Sequence, residues 1–458
     1  MATRDVVEID LELVGRLIAS EEEKLRTAQP RSIAYQETAR EHLPGGVSSS
    51  WQTAPPHPIY IDRGLGSRVW DIDGNEFVDF HNGYGAIAVG HAHPKVVEAV
   101  QRRIALGSHF AQPTEDALIV AEDLAARTGL PLWRFNNSGT EATLDATRLM
   151  RAATGRDLLL KVEGTYHGHH DALMVSVFPK PDEWGPRERP NSVAQTPGLP
   201  QSYVDLTLSV PFGDVETVRR AFDEHPGRIA GMIVEPAMTN VGLLLPPDGW
   251  LAACKEICHA NGAYFAFDEV KTGATLAWGG AIAAFGVTPD LACFAKSIGG
   301  GLPCGAIGGV PELMDLVERG RVDQVGTFNG NPLTMAASRA ALTEVLVPNA
   351  YQRFDELNRV LHDGLDKVIE SYRLPAHLET MGAKGAITWR AEPLRDYRDG
   401  FDVADQPSYL SWLWQLNRGI FKSPWAKWES WTTSVAHTDD EAQRYVDNFA
   451  ELAEALTA

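Results

Sequence analysis

The sequence predicts an α/β fold with a mostly parallel central sheet covered by helices, and a smaller α+β domain made from the N- and C-terminal parts of the chain. From His93 onward, short apolar runs alternate with helical patterns of about ten to fifteen residues, which is typical of a parallel sheet with helices on both faces. After about residue 336 such runs become scarce, and a helical pattern from Thr438 to Leu456 closes the chain. The runs that we predict as strands are Trp133–Asn136, Leu158–Val162, Ile229–Val234, Tyr264–Phe267 and Leu291–Phe294.

Composition places the chain among folded globular proteins and argues against several partners. Its 458 residues suffice for about two or three domains, and its formal net charge of −20 comes without a long run of Lys or Arg. We therefore expect neither a nucleic acid nor an anionic membrane as a partner. The four cysteines fit a reducing compartment, and the acidic N-terminal residues do not match a signal peptide, so we expect a cytoplasmic protein.

Three segments organise the predicted fold. Residues 1–85 hold a helical arm, from about Val6 to Ala28, and two antiparallel strands of the small domain, Pro58–Asp62 and Ser67–Asn75. Residues 86–335 form the large α/β domain. Residues 336–458 supply the rest of the small α+β domain.

Lys296 and Asp268 each follow an apolar run that predicts a buried strand. The ammonium of Lys296 cannot keep a full water shell there, and desolvation favours the neutral amine that can form a Schiff base. A solvated lysine, or one paired with an acid, is the alternative that the local sequence leaves open. A carboxylate buried there needs a cation or a hydrogen-bond donor as a partner. A protonated pyridine nitrogen would supply both, and the backbone N–H groups of the following turn, which Asp268 could cap, are the alternative donors.

Two turns rich in Ser, Thr and Gly open predicted helices and can bind an anion. Ser138, Gly139 and Thr140 offer hydroxyls and backbone N–H groups at a helix N-terminus, where the helix dipole favours a phosphate. Thr327 lies in a second turn of this kind. From local sequence alone, an ordinary helix N-cap is the better explanation of the first turn.

Tyr166 lies in a histidine-rich segment after the predicted strand Leu158–Val162. Its ring can cover a planar cofactor, and the histidines beside it match no known metal-ligand spacing, so we expect no metal. A Schiff-base lysine, an acid for a ring nitrogen, an aromatic ring and two anion-binding turns together describe a site for pyridoxal 5'-phosphate (PLP). No single element is specific, but their joint occurrence in this order is.

Further motifs accompany these residues along most of the chain, from Leu43 to about Leu346. With them the chain resembles the class III (ω-type) aminotransferases, which are fold-type I PLP-dependent transferases, and among these the glutamate-1-semialdehyde aminomutase branch and its transaminase relatives. The motifs are Val69–Asn75, Gly90–Pro94, Ser138–Ala142, Tyr166–His169, Glu235–Pro236, Asp268–Val270, Lys296 with its Gly-Gly-Gly-Leu-Pro tail, and Gly326–Thr327 with Asn331–Pro332.

The resemblance implies a role for each of these residues. Lys296 would be the Schiff-base lysine and proton shuttle, Asp268 would bind the pyridine nitrogen, and Tyr166 would stack on the ring. The phosphate would be held by Ser138, Gly139 and Thr140, and by Thr327 from the partner subunit of a homodimer. The other cofactor-binding residues that it implies are His167, Glu235 and Asn240, the last of them near the ring hydroxyl.

The activity that the resemblance implies is that of a PLP-dependent aminotransferase, or transaminase. Such an enzyme moves an amino group from a small-molecule donor, an amino acid or amine, to a keto acid or aldehyde in a two-stage exchange. An intramolecular aminomutase, such as glutamate-1-semialdehyde 2,1-aminomutase, or an epimerase is the first alternative. A scaffold that binds without catalysis is the second, and it is disfavoured because every position needed for chemistry is filled.

The expected substrate pocket departs from that of the aminomutases. Those enzymes carry a carboxylate-binding arginine shortly after a Pro-Gly-Gly-Val motif, where this chain has Gln52, and a tryptophan where it has Tyr84. Relatives that act on β-amino acids place a carboxylate-binding arginine near Trp425–Trp428. We therefore expect the substrate to contact Lys427 and an aromatic wall that includes Trp51.

Overall fold

The computed structural model describes residues 5–424, 427–428 and 430–458, which divide into two compact units. The main borders between the units fall after His93 and after Tyr351, later in the chain than the predicted borders at residues 85 and 335. The large unit contains Pro94–Tyr351 and the short segment Leu394–Asp399; the small unit contains residues 5–93, Gln352–Pro393 and the described part of Gly400–Ala458.

Three sheets lie in the described residues, one of seven strands in the large unit and two smaller ones in the small unit. The strands are β1 (Ile61–Leu65), β2 (Arg68–Asp71), β3 (Glu76–Asp79), β4 (Leu132–Asn136), β5 (Leu158–Val162), β6 (Thr207–Val210), β7 (Ile229–Val234), β8 (Tyr264–Asp268), β9 (Leu291–Ala295), β10 (Gly305–Gly309), β11 (His377–Met381), β12 (Lys384–Thr388), β13 (Ile420–Phe421) and β14 (Trp431–Thr432).

Helical segments connect these strands and cover them. In the described part of the chain, no helix has the length and apolarity needed to cross a bilayer. The α-helices are α1 (Leu11–Ala28), α2 (Pro30–Ala39), α3 (Asn82–Gly85), α4 (Pro94–Ile104), α5 (Glu115–Thr128), α6 (Gly139–Thr154), α7 (Gln201–Asp205), α8 (Val215–Glu224), α9 (Trp250–Ala260), α10 (Gly280–Phe285), α11 (Pro311–Glu318), α12 (Pro332–Ala340), α13 (Pro348–Ser371), α14 (Tyr397–Phe401), α15 (Asp405–Asn417) and α16 (Asp439–Thr457). Short 3₁₀ segments span Pro44–Gly46, Ser50–Gln52 and Lys296–Gly299, and a π-helical turn spans Ala341–Val345.

The seven-stranded sheet has the strand order β4-β10-β9-β8-β7-β5-β6. β10 runs antiparallel to both of its neighbours, and the other neighbouring strands are parallel. Six strands therefore point the same way, and their carboxyl ends meet at one edge of the sheet. The mostly parallel sheet and its five predicted strands are confirmed, whereas the sequence analysis missed β6 and β10.

β10 does not stand out in the sequence because the strand is rich in glycine. A Cβ on Gly305 would lie 2.2 Å from the carbonyl oxygen of Ser138, and a Cβ on Gly308 would lie 2.5 Å from the ring of Trp133. These contacts leave no room for side chains, so the strand lacks the apolar run by which the others were predicted. The same close approach brings β10 against the turn that opens α6.

The sheet register aligns the ends of the central strands. Gly305 pairs with Asn136 at the end of β4 and with Ala295 at the end of β9. Asp268 at the end of β8 pairs with Cys293. Residues that follow β4, β8 and β9 are therefore brought to one edge of the sheet, which is the edge where ligands bind in parallel α/β sheets.

The central strands of the large unit are buried because both faces of the sheet carry apolar side chains. β5, β7, β9 and β10 are buried along their whole length. One apolar cluster joins α6 and α11 to the sheet and includes Ala146, Met150, Ile233, Cys293 and Met314. Burial of a large apolar side chain contributes about 1.5–3 kcal/mol, so this cluster holds the helices firmly on the sheet.

The small unit has two sheets, with the orders β1-β2-β3-β13 and β11-β12-β14. Its core joins the two ends of the chain, because Leu25 of α1 packs with Val69, Phe77 and, from α15, Trp412 and Leu413. β1 and β2 form an antiparallel pair where one was predicted, but β1 begins at Ile61 and so shares only two residues with the predicted strand Pro58–Asp62. β13 from the C-terminal part adds in parallel to β3. The predicted smaller α+β domain, built from both ends of the chain, is therefore present.

A buried ion pair ties the end of β5 to the segment Leu394–Asp399 within the large unit. Arg398 donates from Nε and Nη2 to the two carboxylate oxygens of Glu163, at 2.8 and 3.0 Å. The guanidinium also donates to the carbonyl oxygens of Trp184 and Gly185. Burial raises the pKa of Glu163, and Arg398 opposes that rise. One arginine thus joins three separate segments of the large unit.

We predict that Arg398→Met lowers the free energy of unfolding of the large unit by about 3–5 kcal/mol, because Glu163 would stay buried without its cation. Urea unfolding of the holoprotein, followed by intrinsic fluorescence, measures the change. Arg189→Met is the matched control: Arg189 pairs with Glu224 at the surface, so its loss should change the stability by less than about 1 kcal/mol. Equal stabilities of the two variants would contradict the prediction.

Candidate active site

Lys296 lies directly after β9, in a backbone conformation that side chains rarely adopt. Its φ is +53°, in the left-handed region, and it begins the short 3₁₀ segment before the glycine-rich turn. A non-glycine residue in this region is uncommon, and such residues cluster at functional sites. The structure places Lys296, partly buried, at the carboxyl edge of the sheet.

Asp268, the last residue of β8, is bound to His167. Its Oδ2 lies 2.7 Å from His167 Nδ1, and its Oδ1 accepts from the backbone N–H of Val270 at 2.9 Å. Asp268 is 4 % exposed and His167 1 %. A carboxylate buried to this extent needs donors or a cation, and His167 and Val270 supply two donors. His167, predicted as a cofactor-binding residue, therefore supports Asp268.

Glu235 and Asn240 hold the segment that carries Tyr166. Glu235 Oε1 accepts from the backbone N–H of Tyr166 at 2.9 Å and from Asn240 Nδ2 at 3.0 Å. Asn240 Oδ1 in turn accepts from Lys271 Nζ at 3.0 Å. The structure thus brings Tyr166, Glu235 and Asn240 together in one chain of hydrogen bonds, which Lys271 extends.

Ser138 caps the N-terminus of α6, and Gly139 and Thr140 are the first two residues of that helix. The Ser138 hydroxyl accepts from the N–H of Glu141 at 3.3 Å. The N–H groups of a first helical turn have no acceptor within the helix, and the helix dipole favours an anion at this end. The segment is therefore a helix cap that also offers N–H groups to an anion.

The segments around this cap lie so close together that two of their glycines have no room for a side chain. A Cβ on Gly139 would lie 2.7 Å from the side chain of Val270, and a Cβ on Gly168 would lie 2.6 Å from the Cα of Thr140. The segments that follow β8 and β5 are thereby packed against the start of α6. The residues present fit PLP: an amine for its aldehyde, a buried carboxylate for its ring nitrogen and a helix N-terminus for its phosphate.

Thr327 is exposed, in the turn before α12. This turn is tied to the start of α6 in the same chain, because Asn137 Nδ2 donates to Asn329 Oδ1 at 3.0 Å. A cavity of about 360 Å³ adjoins the turn. Val325 and Phe328, beside Thr327, are 82 % and 56 % exposed. The contact of Thr327 with a partner subunit's cofactor stays a prediction.

The predicted substrate residues Trp51, Gln52, Tyr84 and Lys427 belong to the small unit. The hydroxyl of Tyr84 donates to the carbonyl oxygen of Trp51 at 2.6 Å, and their rings meet edge to face with centroids 5.6 Å apart. Gln52 Oε1 accepts from the backbone N–H of Ser48 at 3.0 Å. The structure therefore brings Trp51 and Tyr84 together, and their role in substrate binding stays a prediction.

Lys427 is bound by groups of the small unit. Its ammonium donates to the carbonyl oxygen of Phe401 at 2.6 Å and lies 3.0 Å from Asp405 Oδ1. Trp425 and Ala426, which belong to the same predicted substrate segment, lie outside the described residues. A substrate carboxylate at Lys427 would have to replace Asp405, so this contact also stays a prediction.

Two lysines near the site residues, Lys161 and Lys271, were assigned no role from the sequence. Lys271 binds Asn240, and Lys161 is fully buried in β5. A signal for Lys161 was present in the sequence, because a charged residue within an apolar run needs specific partners. No sequence signal reveals the bond between Lys271 and Asn240, which depends on how two loops fold together.

Known proteins match this chain over most of its length in both sequence and fold. The family model Aminotransferase class-III matches residues 49–397. A glutamate-1-semialdehyde 2,1-aminomutase 2 from an Exiguobacterium species is 37 % identical over 439 residues, covering 94 % of this chain and 99 % of that protein. An omega-transaminase from Sphaerobacter thermophilus has a TM-score of 0.88 at 34 % identity, covering 93 % of this chain and 98 % of that one. A variant glutamate-1-semialdehyde-aminomutase from Pseudomonas aeruginosa PAO1 in complex with PMP has a TM-score of 0.90 at 27 % identity, covering 98 % of this chain and 100 % of that one.

The chain belongs to the class-III aminotransferase family. It is a PLP-dependent enzyme of the transaminase type with the fold-type I architecture, so the predicted family, fold and cofactor are confirmed. The similar proteins carry two names, transaminase and aminomutase. Membership of the family therefore does not choose between the two reactions.

We predict that Asp268→Asn weakens the binding of PLP by about 150- to 5,000-fold, because a buried pair that loses one charge costs about 3–5 kcal/mol. Titration of the apoprotein with PLP, followed by visible absorbance, gives the dissociation constant. Asp145→Asn is the control, since Asp145 is a buried acid of the same unit that binds Asn136. An Asp268→Asn protein with wild-type affinity for PLP would show that the carboxylate does not pair with the ring nitrogen.

Proposed function

We propose that this protein is an aminotransferase that moves an amino group from an amino acid or amine to a keto acid or aldehyde by a two-stage exchange. The observation that carries the proposal is the position of Lys296, which follows β9 in a left-handed conformation at the sheet edge where Asp268 and the start of α6 also lie. In the first stage the donor leaves its amino group on the enzyme and departs as a carbonyl compound. In the second stage the acceptor takes that group.

Lys296 is the proton carrier of the proposed mechanism. PLP, when bound, supplies an electron sink for the negative charge that develops at the substrate Cα. The amine of Lys296, which would hold the cofactor between turnovers, removes the proton from the Cα of the donor in the first stage and delivers a proton to the former carbonyl carbon of the acceptor in the second.

Asp268 and the residues around it would orient the cofactor. The donors His167 and Val270 stabilise the negative charge of Asp268, and this charge would balance a proton on the ring nitrogen. Tyr166, held by Glu235, would cover one face of the ring. The phosphate would be bound by Ser138, Gly139 and Thr140, and Asn240 would lie near the ring hydroxyl.

A homodimer is part of the proposal, with Thr327 reaching the phosphate of the partner's cofactor. Val325 and Phe328, beside Thr327, are exposed in the single chain, and Phe110 is also exposed, next to His109, whose ring meets that of Phe328. Apolar surface of this extent marks protein–protein contacts more often than bare surface. Burial of these side chains between two copies would bring the exposed Thr327 turn into the interface.

We further propose that the enzyme works in the cytoplasm on small-molecule substrates. Its four cysteines, Cys254, Cys258, Cys293 and Cys304, are buried free thiols. Burial raises the pKa of Cys254 and of Cys304 to about 12, so these thiols stay protonated and unreactive. Such cysteines suit a reducing compartment.

An intramolecular aminomutase is the second candidate, because similar proteins carry that name. The aminomutases bind the substrate carboxylate with an arginine at the position where this chain has Gln52. An amide cannot make the charged bidentate bond of arginine, and Gln52 Oε1 is engaged by Ser48. The aminotransferase is therefore the better supported of the two reactions.

Addition of single amino donors to the purified enzyme, with no acceptor present, tests the proposed function. We expect one class among α-, β- and ω-amino compounds and an aromatic amine to bleach the visible band of the bound cofactor. The reaction should also leave one equivalent of a carbonyl product. A Lys296→Ala variant, as control, should show no bleaching within the same time. A band that recovers without acceptor, with the substrate rearranged or racemised, would favour the second candidate instead.

We predict that Lys427→Ala raises the KM of acidic donors about tenfold while kcat changes less, if Lys427 binds their carboxylate. The pair with Asp405 does not prevent this, since Asp405 is exposed and such a pair is worth about 1 kcal/mol or less. Asp405→Asn should lower the same KM, because it removes the competing carboxylate. Steady-state kinetics measures both variants. A KM unchanged for every acidic donor in Lys427→Ala would rule out the contact.

A further inference from the structure

β5 carries one charged residue, Lys161, and its side chain is completely buried. The amine donates to the carbonyl oxygens of Thr165 at 2.8 Å and Val175 at 2.6 Å. Burial lowers the pKa of Lys161 to about 7, and the charges of Glu235 and Glu163 oppose this shift in part. A leucine or methionine would avoid the loss of hydration, so packing alone does not account for an amine at this position.

The carbonyl of Thr165 and the N–H of Tyr166 are the two polar ends of one planar peptide group. Lys161 binds the oxygen of this group, and Glu235 Oε1 accepts from its N–H at 2.9 Å. A peptide plane held at opposite edges cannot turn without breaking one of its two hydrogen bonds. The two bonds therefore fix the backbone from which the Tyr166 side chain projects.

We infer that Lys161 is a positioning residue of the active site, which clamps the Thr165–Tyr166 peptide together with Glu235 and so fixes the ring of Tyr166 over the cofactor. The inference rests on the proposed place of Tyr166 on the cofactor ring. Lys161 acts through the main chain of Tyr166, and the ring of Tyr166 is the group that meets the cofactor. The buried amine thus has a purpose that an apolar side chain could not serve.

The segment on either side of the clamped peptide is also held. Before it, Gly164 packs against Tyr397 so closely that a Cβ on Gly164 would lie 2.3 Å from the tyrosine side chain. Beyond it, Glu235 is fixed in its own right by Asn240 Nδ2 at 3.0 Å and by the N–H of Thr239 at 3.2 Å. The anchor points of the clamp are therefore rigid, and loss of the Lys161 amine frees one edge of the peptide.

The clamp does not require a charge on Lys161. A neutral amine has two N–H groups and the structure presents two carbonyl acceptors, so both bonds persist on either side of the pKa. The acids that face the amine are themselves bound, Glu235 by Asn240 and Glu163 by Arg398. We therefore expect the effect of removing the amine to be similar at about pH 6 and about pH 8.5, on the two sides of that pKa.

Lys161→Met tests the clamp, because methionine has a similar shape without the amine. In the holoenzyme we expect weaker visible circular dichroism of the bound cofactor, which reports the asymmetry of its surroundings. In the apoprotein we expect the dissociation constant of PLP to rise about three- to tenfold, the effect of losing one hydrogen bond. Lys161→Gln keeps two N–H donors one atom short of the ammonium position, so it should give intermediate values.

Arg127→Met is the matched control, since Arg127 is a buried cation of the same unit that donates to the carbonyl oxygens of Trp278, Leu342 and Leu346. It should lower the unfolding temperature and leave the cofactor dichroism and PLP affinity unchanged. If Lys161→Met behaves in the same way, the clamp is overturned and Lys161 is a structural residue. Should Lys161→Met fail to fold, intermediate values in Lys161→Gln support the clamp and wild-type values overturn it.

Two further measurements separate this inference from the proposed function. If Tyr166→Leu weakens the cofactor dichroism while Lys161→Met does not, the clamp is overturned and the place of Tyr166 stands. If none of the amino donors bleaches the cofactor band of the wild-type enzyme, the proposed aminotransferase fails. The clamp is judged from dichroism and affinity without donor, so it is unaffected by that result.

Discussion

The close approach of β10 to the start of α6 is the constraint on which the active site depends. Gly305 pairs with the last residues of both β4 and β9, so the segments leading to Ser138 and Lys296 start from one level of the sheet. Its lack of a side chain lets the Ser138 carbonyl lie against the strand. A slip of one residue in this register would turn every side chain of β10 to the opposite face. Sheet register, more than loop conformation, therefore sets the relation between the amine and the helix cap.

Buried carboxylates around this edge differ in how much of their hydrogen-bonding capacity the protein uses. Arg398 occupies both oxygens of Glu163, and Glu235 accepts from three residues, Tyr166, Thr239 and Asn240. A carboxylate accepts about four hydrogen bonds, and within the described part of the chain Asp268 receives two, from His167 and Val270. Because an unpaired buried charge costs several kcal/mol, against about 1 kcal/mol for an ordinary hydrogen bond, this remaining capacity favours a cation. A protonated ring nitrogen supplies both the charge and the donor.

The parts that the sequence revealed are those in which one residue type breaks a pattern. The places of Lys296 and Asp268 at the ends of buried strands could be predicted, because a charge that follows an apolar run is costly unless it has a partner. Lys161 also breaks an apolar run, so the sequence indicates that it needs partners. Its partners are main-chain carbonyls, and these cannot be recognised from residue types. β10 could not be predicted, since glycines chosen for close contact remove the apolar run that marks a strand. The pairing of Lys427 with Asp405 joins two segments that no helical or strand pattern connects, so it also required the structure.

The choice between transamination and intramolecular transfer depends on how firmly the enzyme holds the carbon skeleton between the two stages. Both reactions need the same amine, carboxylate and helix cap, so the large unit serves either one. An aminomutase has to retain the skeleton until the amino group returns, whereas an aminotransferase has to release it. A hydrogen bond to a charged group is worth about 1.5–3 kcal/mol, which corresponds to about a 10- to 100-fold difference in retention. With Gln52 at that position, and its Oε1 engaged by Ser48, the bidentate charged bond that an arginine would make there is missing. Faster release of the skeleton favours exchange with a second carbonyl compound, which is the aminotransferase reaction.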